Sequence, residues 1–309
     1  MILLSRKTML IVNPVSGKAK ARLVLMKMVA SLGKGGEPVT VFVTEKRGDA
    51  TAFARQYGPS FDRLVCTGGD GTINEVISGL MELPFDERPA LGYIPLGTTN
   101  DMASTFGIPA APDQALAIAA ESEPHTIDIG LLGEHYFGYV AAFGAFSDIS
   151  FKTPQEEKNA LGYLAYLLNA LSTPPNLSPY HLKVEHDGGE LEGDFIFGAV
   201  VNSTSVAGFM KLKEDDVQLD DGVFEVVLIK SPANVFEFNE CATELLSKKY
   251  NTKHIILLHT SKASFTFDRP AEWTRDGEDG GKHQTVTAVN CHNVIRMIYS
   301  PKLLRGEQK

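Results

Sequence analysis

A chain of 309 residues, 43% hydrophobic and 22% charged, has the composition of a globular protein and room for one large domain or two ordinary ones. A formal net charge of −9 argues against a nucleic-acid partner, whose binders carry a basic stripe, and against attraction of the whole surface to anionic membranes. No apolar run reaches the roughly 20 residues that cross a bilayer, so no transmembrane segment is expected.

The opening "MILLSRKTMLIVNP" is apolar, but Arg6 and Lys7 interrupt it and no small-residue cleavage site follows. It reads as the lead into a first strand, "TMLIVNP", rather than as a signal peptide. "KARLVLMKMVASLGKGG" has apolar residues at helical spacing and stops at glycines, "PVTVFVTE" is a β-branched strand, and "DATAFARQYG" is a helix ended by Gly58. "DRLVCTGGDG" is a third strand, "TINEVISGLME" the helix that leaves it, and "PALGYIPLG" a fourth strand. That rhythm predicts a doubly wound parallel sheet.

From about residue 130 the elements become short and strand-like: "YFGYVAAFGAF", "YHLKVEHDG", "GELEGDFIFGAVVNS", "DGVFEVVLIK", "HIILLHTSKASFTF" and "QTVTAVNCHNVIRMIY". Two helical stretches interrupt them, "EEKNALGYLAYLLNALS" and "PANVFEFNECATELLSKKY". The expected fold class is α/β followed by β: an N-terminal doubly wound parallel α/β domain over 1–130, then a mostly antiparallel β-sandwich domain over 131–294. The last segment, about 295–309, is able to return to the first domain. Cys66, Cys241 and Cys291 lie far apart without metal-ligand spacing, and neither His283 nor His292 supplies it; free thiols in a reducing cytosol are expected.

"CTGGDGTINE" puts three glycines around one aspartate at the end of the third strand. Ligands of open parallel sheets sit at the carboxyl ends of the strands, where helix N-termini offer N–H groups to anions. Gly68, Gly69 and Gly71 allow backbone N–H groups to approach phosphate oxygens. Asp70 would repel a phosphate unless a cation such as Mg²⁺ lies between them, and Thr72 and Asn74 can donate to phosphate. A bland Asp-Gly turn with Asp70 capping the helix is the competing reading. "NPVSGK", Asn13 to Lys18, and "PLGTTND", Pro95 to Asp101, repeat the logic after the first and fourth strands, with Ser16 as a plain N-cap and a capped turn as their bland readings. Three polar glycine turns at successive sheet ends point to one nucleotide site.

With "NPVSG", "GGDGTINE" and "PLGTTND" in this order, followed by "QLDDGVFEVVLI" and "DGE", the chain resembles the diacylglycerol kinase family, whose catalytic fold sphingosine and ceramide kinases share. The resemblance covers nearly the whole chain. It implies ATP- and Mg²⁺-dependent transfer of the γ-phosphate to a lipid hydroxyl, with diacylglycerol the leading acceptor, and a nucleotide cleft between two domains. It places ATP contacts on Asn13, Pro14, Val15, Ser16 and Gly17, on Thr44, on Gly69, Asp70, Gly71, Thr72, Ile73, Asn74 and Glu75, and on Thr98. Asp101 adds a second carboxylate. It also implies a structural Mg²⁺ held by the carbonyls of Gln218 and Val223 and the carboxylate of Asp221. The general base falls in Asp276-Gly277-Glu278, with Glu278 favoured and Asp276 next; a plain acidic turn is the competing reading. Before "LDDG" the family usually reads Ala-Pro-Asp-Ala, whereas this chain reads "KEDDVQ", so a differently shaped loop is expected.

Within "NALGYLAYLLNALSTPP", Leu161, Leu164, Ala165, Leu168 and Leu171 form one stripe, expected in a core, while Tyr163 and Tyr166 are candidates for a lipid pocket. The implied partner is a lipid substrate at the membrane surface, with a homodimer allowed and no nucleic acid. The implied location is cytoplasmic, peripheral to the inner face of the membrane. Two other readings stay open: a nicotinamide-dinucleotide kinase, which shares GGDGT, and a non-catalytic lipid- or nucleotide-binding regulator.

Overall fold

The apolar runs TMLIV and RLVCTG become β1 (Thr8–Val12) and β3 (Arg63–Gly68), in which every residue is buried. Burial on both faces is what continuous apolar runs, as opposed to alternating ones, demand of a strand. The structure, a computed structural model, describes residues 6–144, 178–203, 205–206, 210–211, 218–247 and 249–301. The chain divides into two compact units, Met1–Ile129 with Asn293–Lys309, and Gly130–His292.

In the first unit β1 is followed by α1 (Ser16–Leu32), β2 (Val39–Val43), α2 (Asp49–Tyr57), β3, α3 (Asp70–Met81), β4 (Ala90–Pro95), α4 (Asp101–Thr105), α5 (Pro112–Glu121) and the start of β5 (Pro124–Leu132). β1 lies between β2 and β3 in parallel register, with Leu10 opposite both Val41 and Val65, and β4 pairs with β3 in parallel. The C-terminal end of the last strand adds to the other side of β4, where Met297 pairs with Leu91. The strand order therefore reverses at β1: the chain leaves it to β2 on one side and comes back to β3 on the other. Ligands of doubly wound sheets bind at such a switch point, outside the carboxyl ends of the strands. α2 and α3 pack closely because Gly79 has no Cβ to strike the Thr51 carbonyl oxygen.

Arg63 is a buried cation with a structural task. Its guanidinium donates to Thr8 Oγ1 (2.9 Å) and to the Leu32, Ala119 and Ala120 carbonyl oxygens, and it reaches Glu37 at 3.3 Å. Leu32 ends α1 and the two alanines lie in the last turn of α5, where a cation meets the negative ends of the helix dipoles. Arg63→Met is expected to destabilise the protein by about 3 kcal/mol, since it leaves several acceptors buried without their donor. A urea denaturation curve with an unchanged midpoint would refute that role.

The described strand pairs of the second unit are antiparallel. It contains β6 (His135–Phe137), β7 (Val140–Gly144), β8 (Tyr180–His186), β9 (Gly189–Val201), the two-residue strands β10 (Ser205–Val206) and β11 (Met210–Lys211), β12 (Phe224–Lys230), α6 (Val235–Leu246), β13 (Ile255–Thr260), β14 (Lys262–Arg275) and β15 (Glu278–Ile298), whose end crosses into the first unit. The first half of β9 pairs with β8 and the second half with β7 and β12; β14 likewise pairs first with β8 and later with β7. β9, β7, β14 and β8 thus close a ring around Phe143, Phe265, Phe267 and Trp273, with Phe143–Phe267 centroids 4.8 Å apart and nearly perpendicular. Register along the β14–β15 pair shifts between Thr266 and Ala271, where Pro270 has no N–H to give the ladder. α6 begins at a side-chain cap: Asn234 Oδ1 accepts from the Phe236 and Glu237 amides, and Glu237 accepts at 2.9 Å from the amide of Ala233, the residue before the cap. The stretch 156–172, with its leucine stripe and Tyr163 and Tyr166, lies outside the described residues, as do 213–217 of "KEDDVQ".

Candidate functional site

Three turns converge at the carboxyl ends of β1, β3 and β4, and backbone contacts hold them together. The Gly68 carbonyl oxygen accepts from the Leu96 amide (2.8 Å), the Gly97 amide (3.1 Å) and the Tyr93 hydroxyl (3.2 Å). A Cβ on Gly97 would stand 2.5 Å from the Gly69 Cα, so a side chain there would push the turns apart. Gly17, at φ +57°, lies against the Leu96 carbonyl so closely that a Cβ would collide with it. The glycines of this site bring backbone to backbone.

Asn13 joins the first turn to the second. Its amide nitrogen donates to Thr72 Oγ1 at 3.1 Å, its Oδ1 accepts from the Val15 amide, and its backbone N–H donates to the Thr67 carbonyl. Ser16 does not cap α1: its hydroxyl donates to the Asn13 carbonyl at 2.8 Å, and the helix starts without a side-chain cap. Val15 is exposed beside Pro14 and Ser16 at this corner. Thr44, after β2, donates its amide to the Val12 carbonyl.

Asp70 opens α3 but is not that helix's cap; Gly69, with extended backbone, holds that position. The Asp70 carboxylate reaches across to the third turn, where Oδ1 accepts from the Met102 amide (3.1 Å) and Oδ2 from the Thr99 hydroxyl (3.4 Å). A carboxylate at the start of one helix thus binds the start of another, α4. Asn100 precedes α4 in the left-handed region that asparagine tolerates (φ +53°), its side chain donating to the Gly97 carbonyl. Thr98 and Thr99 are exposed, and Asp101 is half-buried. Beneath the turns, burial first and the Asp70 and Asp101 charges second push the Tyr93 phenol well above its ordinary range, so it stays a neutral donor.

The helix behind the glycines is divided in purpose. Ile73 is buried in the core and presents only backbone, while Gly71 and Asn74 lie in the same first turns. Glu75 faces the other way: its carboxylate accepts from the Gly48 amide (2.9 Å) and the Ala50 amide (3.2 Å), holding the N-terminus of α2. Nothing in its immediate sequence announces this, because the partners lie 25 and 27 residues away.

In the second unit, Asp276 and Gly277 are both left-handed (φ +47° and +80°) and turn the β14–β15 hairpin, in which Arg275 pairs with Glu278. Asp-Gly is a favoured sequence for such a two-residue turn. Asp276 is buried, and its carboxylate accepts three backbone amides: Gly138 at 2.6 Å, and Tyr139 and Val140 at 3.0 Å each. Glu278 is half-buried at the first position of β15. The same three amides explain why "YFGYVAAFGAF" is two strands and not one: Asp276 takes the N–H groups between β6 and β7.

Asp221 is exposed in a turn that its own Oδ1 closes by accepting the Val223 amide at 3.1 Å, with Gly222 left-handed against the His292 ring. The Val223 carbonyl accepts from the Asn290 side chain at 3.0 Å, and Gln218 is exposed at the start of the turn. One carboxylate with backbone carbonyls is an all-oxygen donor set of the kind Mg²⁺ takes, completed by water. Among the described residues no cluster of three or more His, Cys, Asp or Glu side chains is arranged for a metal, so any ion here depends on those carbonyls.

Residues 7–132 match the diacylglycerol kinase catalytic domain. A diacylglycerol kinase of Bacillus subtilis (strain 168) is 34% identical over 279 residues, 89% of this chain and 91% of the relative; one from Staphylococcus aureus (strain MRSA252) is 35% identical over 283 residues, 90% and 87%. A solved structure from Bacillus anthracis (strain Sterne), ascribed to the diacylglycerol kinases, superposes with a TM-score of 0.80 at 25% identity, covering 96% of this chain and 98% of its own. The chain belongs to the diacylglycerol kinase family of lipid kinases.

Proposed function

We propose that this enzyme transfers the γ-phosphate of ATP to the free hydroxyl of diacylglycerol, giving phosphatidic acid, at the inner face of the membrane. The observation that carries this reading is the meeting of the three polar turns at the carboxyl ends of β1, β3 and β4, held by the Gly68 carbonyl and by Asp70. The first unit is then the nucleotide-binding domain and the second the lipid-substrate domain. Among the described residues no helix is long and apolar enough to cross a membrane.

In this reading, the turns Asn13–Gly17 and Gly69–Glu75, with Thr44 and Thr98, cradle the phosphates. Mg²⁺ bound with the nucleotide would neutralise the charge that builds on the transferred phosphoryl group. Asp70 and Asp101 would be the carboxylates that hold that cation. The lipid hydroxyl oxygen attacks the γ-phosphorus, the bond to the bridging oxygen breaks, and ADP leaves with that electron pair. The hydroxyl proton passes to the Glu278 carboxylate. Asp276, whose two oxygens accept three amides, positions that hairpin in this reading. A second Mg²⁺, held by Asp221 and the Gln218 and Val223 carbonyls, would brace the turn before β12.

Gly97→Ala tests the cradle. A methyl group there meets the Gly69 Cα, so ATP affinity is expected to fall by about tenfold or more. Titration calorimetry with ATP giving a wild-type dissociation constant would remove the glycine contact from the account.

A further inference from the structure

Glu75 stands inside the glycine-loop motif by sequence, yet its half-buried carboxylate reaches the loop that follows β2. Oε1 accepts from the Gly48 amide at 2.9 Å and Oε2 from the Ala50 amide at 3.2 Å, so each oxygen holds one N–H. The Glu75 carbonyl accepts from the Thr51 hydroxyl at 2.9 Å. Asp49 closes the same loop from within, its Oδ2 accepting from the Glu45 amide (2.8 Å) and the Lys46 amide (2.9 Å). Four of the six amides from Glu45 to Ala50 therefore end on a carboxylate. Side-chain carboxylates, more than secondary structure, give this loop its shape.

The loop stands where a nucleotide needs more than a phosphate cradle. Val43 pairs with Val12, and Thr44 leaves β2 level with Asn13, its amide on the Val12 carbonyl. β2 ends the strand order on this side, so the loop is the neighbour of the Asn13–Gly17 turn. Glu45, Lys46, Arg47 and Gly48 are exposed there, with Thr44 half-buried behind them. The turns after β1, β3 and β4 suffice for a triphosphate, whereas a ribose and base extend past them and need a wall of their own. α3 serves both ends: Asp70 lies at its start and Glu75 about 7.5 Å further along its axis. Its close packing on α2 at Gly79 keeps the loop in register with the phosphate turns.

We propose that Glu75 is a positioning residue for the nucleoside part of ATP: it touches no atom of the nucleotide and sets the Thr44–Gly48 loop as the wall on which ribose and base rest. The inference rests on the reading of the three turns as a phosphate site and adds what holds the other end of the molecule. Groups that lock a binding loop from behind govern affinity through geometry, without contact. A cap that served the fold alone would change stability and leave every ligand treated alike.

Titration calorimetry with MgATP and with magnesium tripolyphosphate, which carries phosphates and no nucleoside, separates the two ends. It compares wild type, Glu75→Gln and Gly48→Ala. Glutamine keeps one acceptor of the pair. Gly48 lies at φ +89° with nothing within 4 Å of an added Cβ, so alanine strains the loop backbone and meets no neighbour. Both variants should lose about tenfold in affinity for ATP and less than about twofold for tripolyphosphate. In mixed micelles the KM for ATP should rise in both, with the KM for diacylglycerol unchanged. Wild-type ATP affinity in either variant, or equal losses for ATP and tripolyphosphate, would overturn the proposal and return Glu75 to the fold. A wild type that binds no ATP, or ATP but no tripolyphosphate, would refute the phosphate-site reading and the proposal with it. Binding is read without turnover, so the expected split in a protein that phosphorylates no diacylglycerol would refute the lipid reaction and leave the role of Glu75 standing.

Discussion

Asp70→Asn is expected to lower kcat for lipid phosphorylation by about 10²- to 10³-fold while leaving the protein folded. Asparagine has nearly the same shape, and its single side-chain oxygen can still accept the Met102 amide at the start of α4. What it removes is the negative charge. Without ligand that charge is satisfied by the Met102 amide and the Thr99 hydroxyl; with MgATP it would face the cation. Asp70→Ala would go further and free α4 from the β3 turn, so the alanine variant alone would mix a structural loss with a chemical one. An Asn variant with wild-type kcat and thermal midpoint would assign Asp70 to the fold only.

The two acids of the β14–β15 turn should separate cleanly. Glu278→Gln is expected to reduce kcat by about 10²- to 10⁴-fold, the range for losing a positioned base, with no change in urea midpoint. Asp276→Asn is expected to cost about 2–4 kcal/mol of stability, because three backbone amides would share one side-chain oxygen and meet an NH₂ group in place of the other. Asparagine tolerates the left-handed conformation at this position, so the backbone adds little strain. Finding the reverse, a stable Asp276→Asn with no activity and an active Glu278→Gln, would transfer the base to Asp276.

Short-range features were the legible ones. Apolar runs bounded by Asn-Pro and glycine marked β1, β3 and β4, and the helix read from Thr72 onward is α3, which starts two residues earlier at Asp70. Features that depend on distant partners were not. Glu75 belongs to a phosphate-loop motif in the sequence, yet its carboxylate holds the start of α2. Asp276 reads as an acid on a surface turn until its partners 136 to 138 residues earlier are seen. The long strands β9 and β14 each pair with three others, a division no alternation pattern reveals. α5, led by Pro112 at its first position, was passed over because its alanines blur the apolar stripe. The net charge of −9 hid an uneven split, +1 in the first unit (16 basic, 15 acidic residues) and −10 in the second (13 and 23).

The central claim is that the turns after β1, β3 and β4 hold a nucleotide whose γ-phosphate goes to a lipid hydroxyl. Transfer of labelled γ-phosphate from ATP to diacylglycerol in mixed micelles with Mg²⁺, for wild type and Asp70→Asn, tests it most directly. Label in phosphatidic acid with wild type, reduced at least about a hundredfold in the variant, is the predicted result. Label that goes to nicotinamide dinucleotide and to no lipid, or transfer to diacylglycerol undiminished in Asp70→Asn, would contradict it.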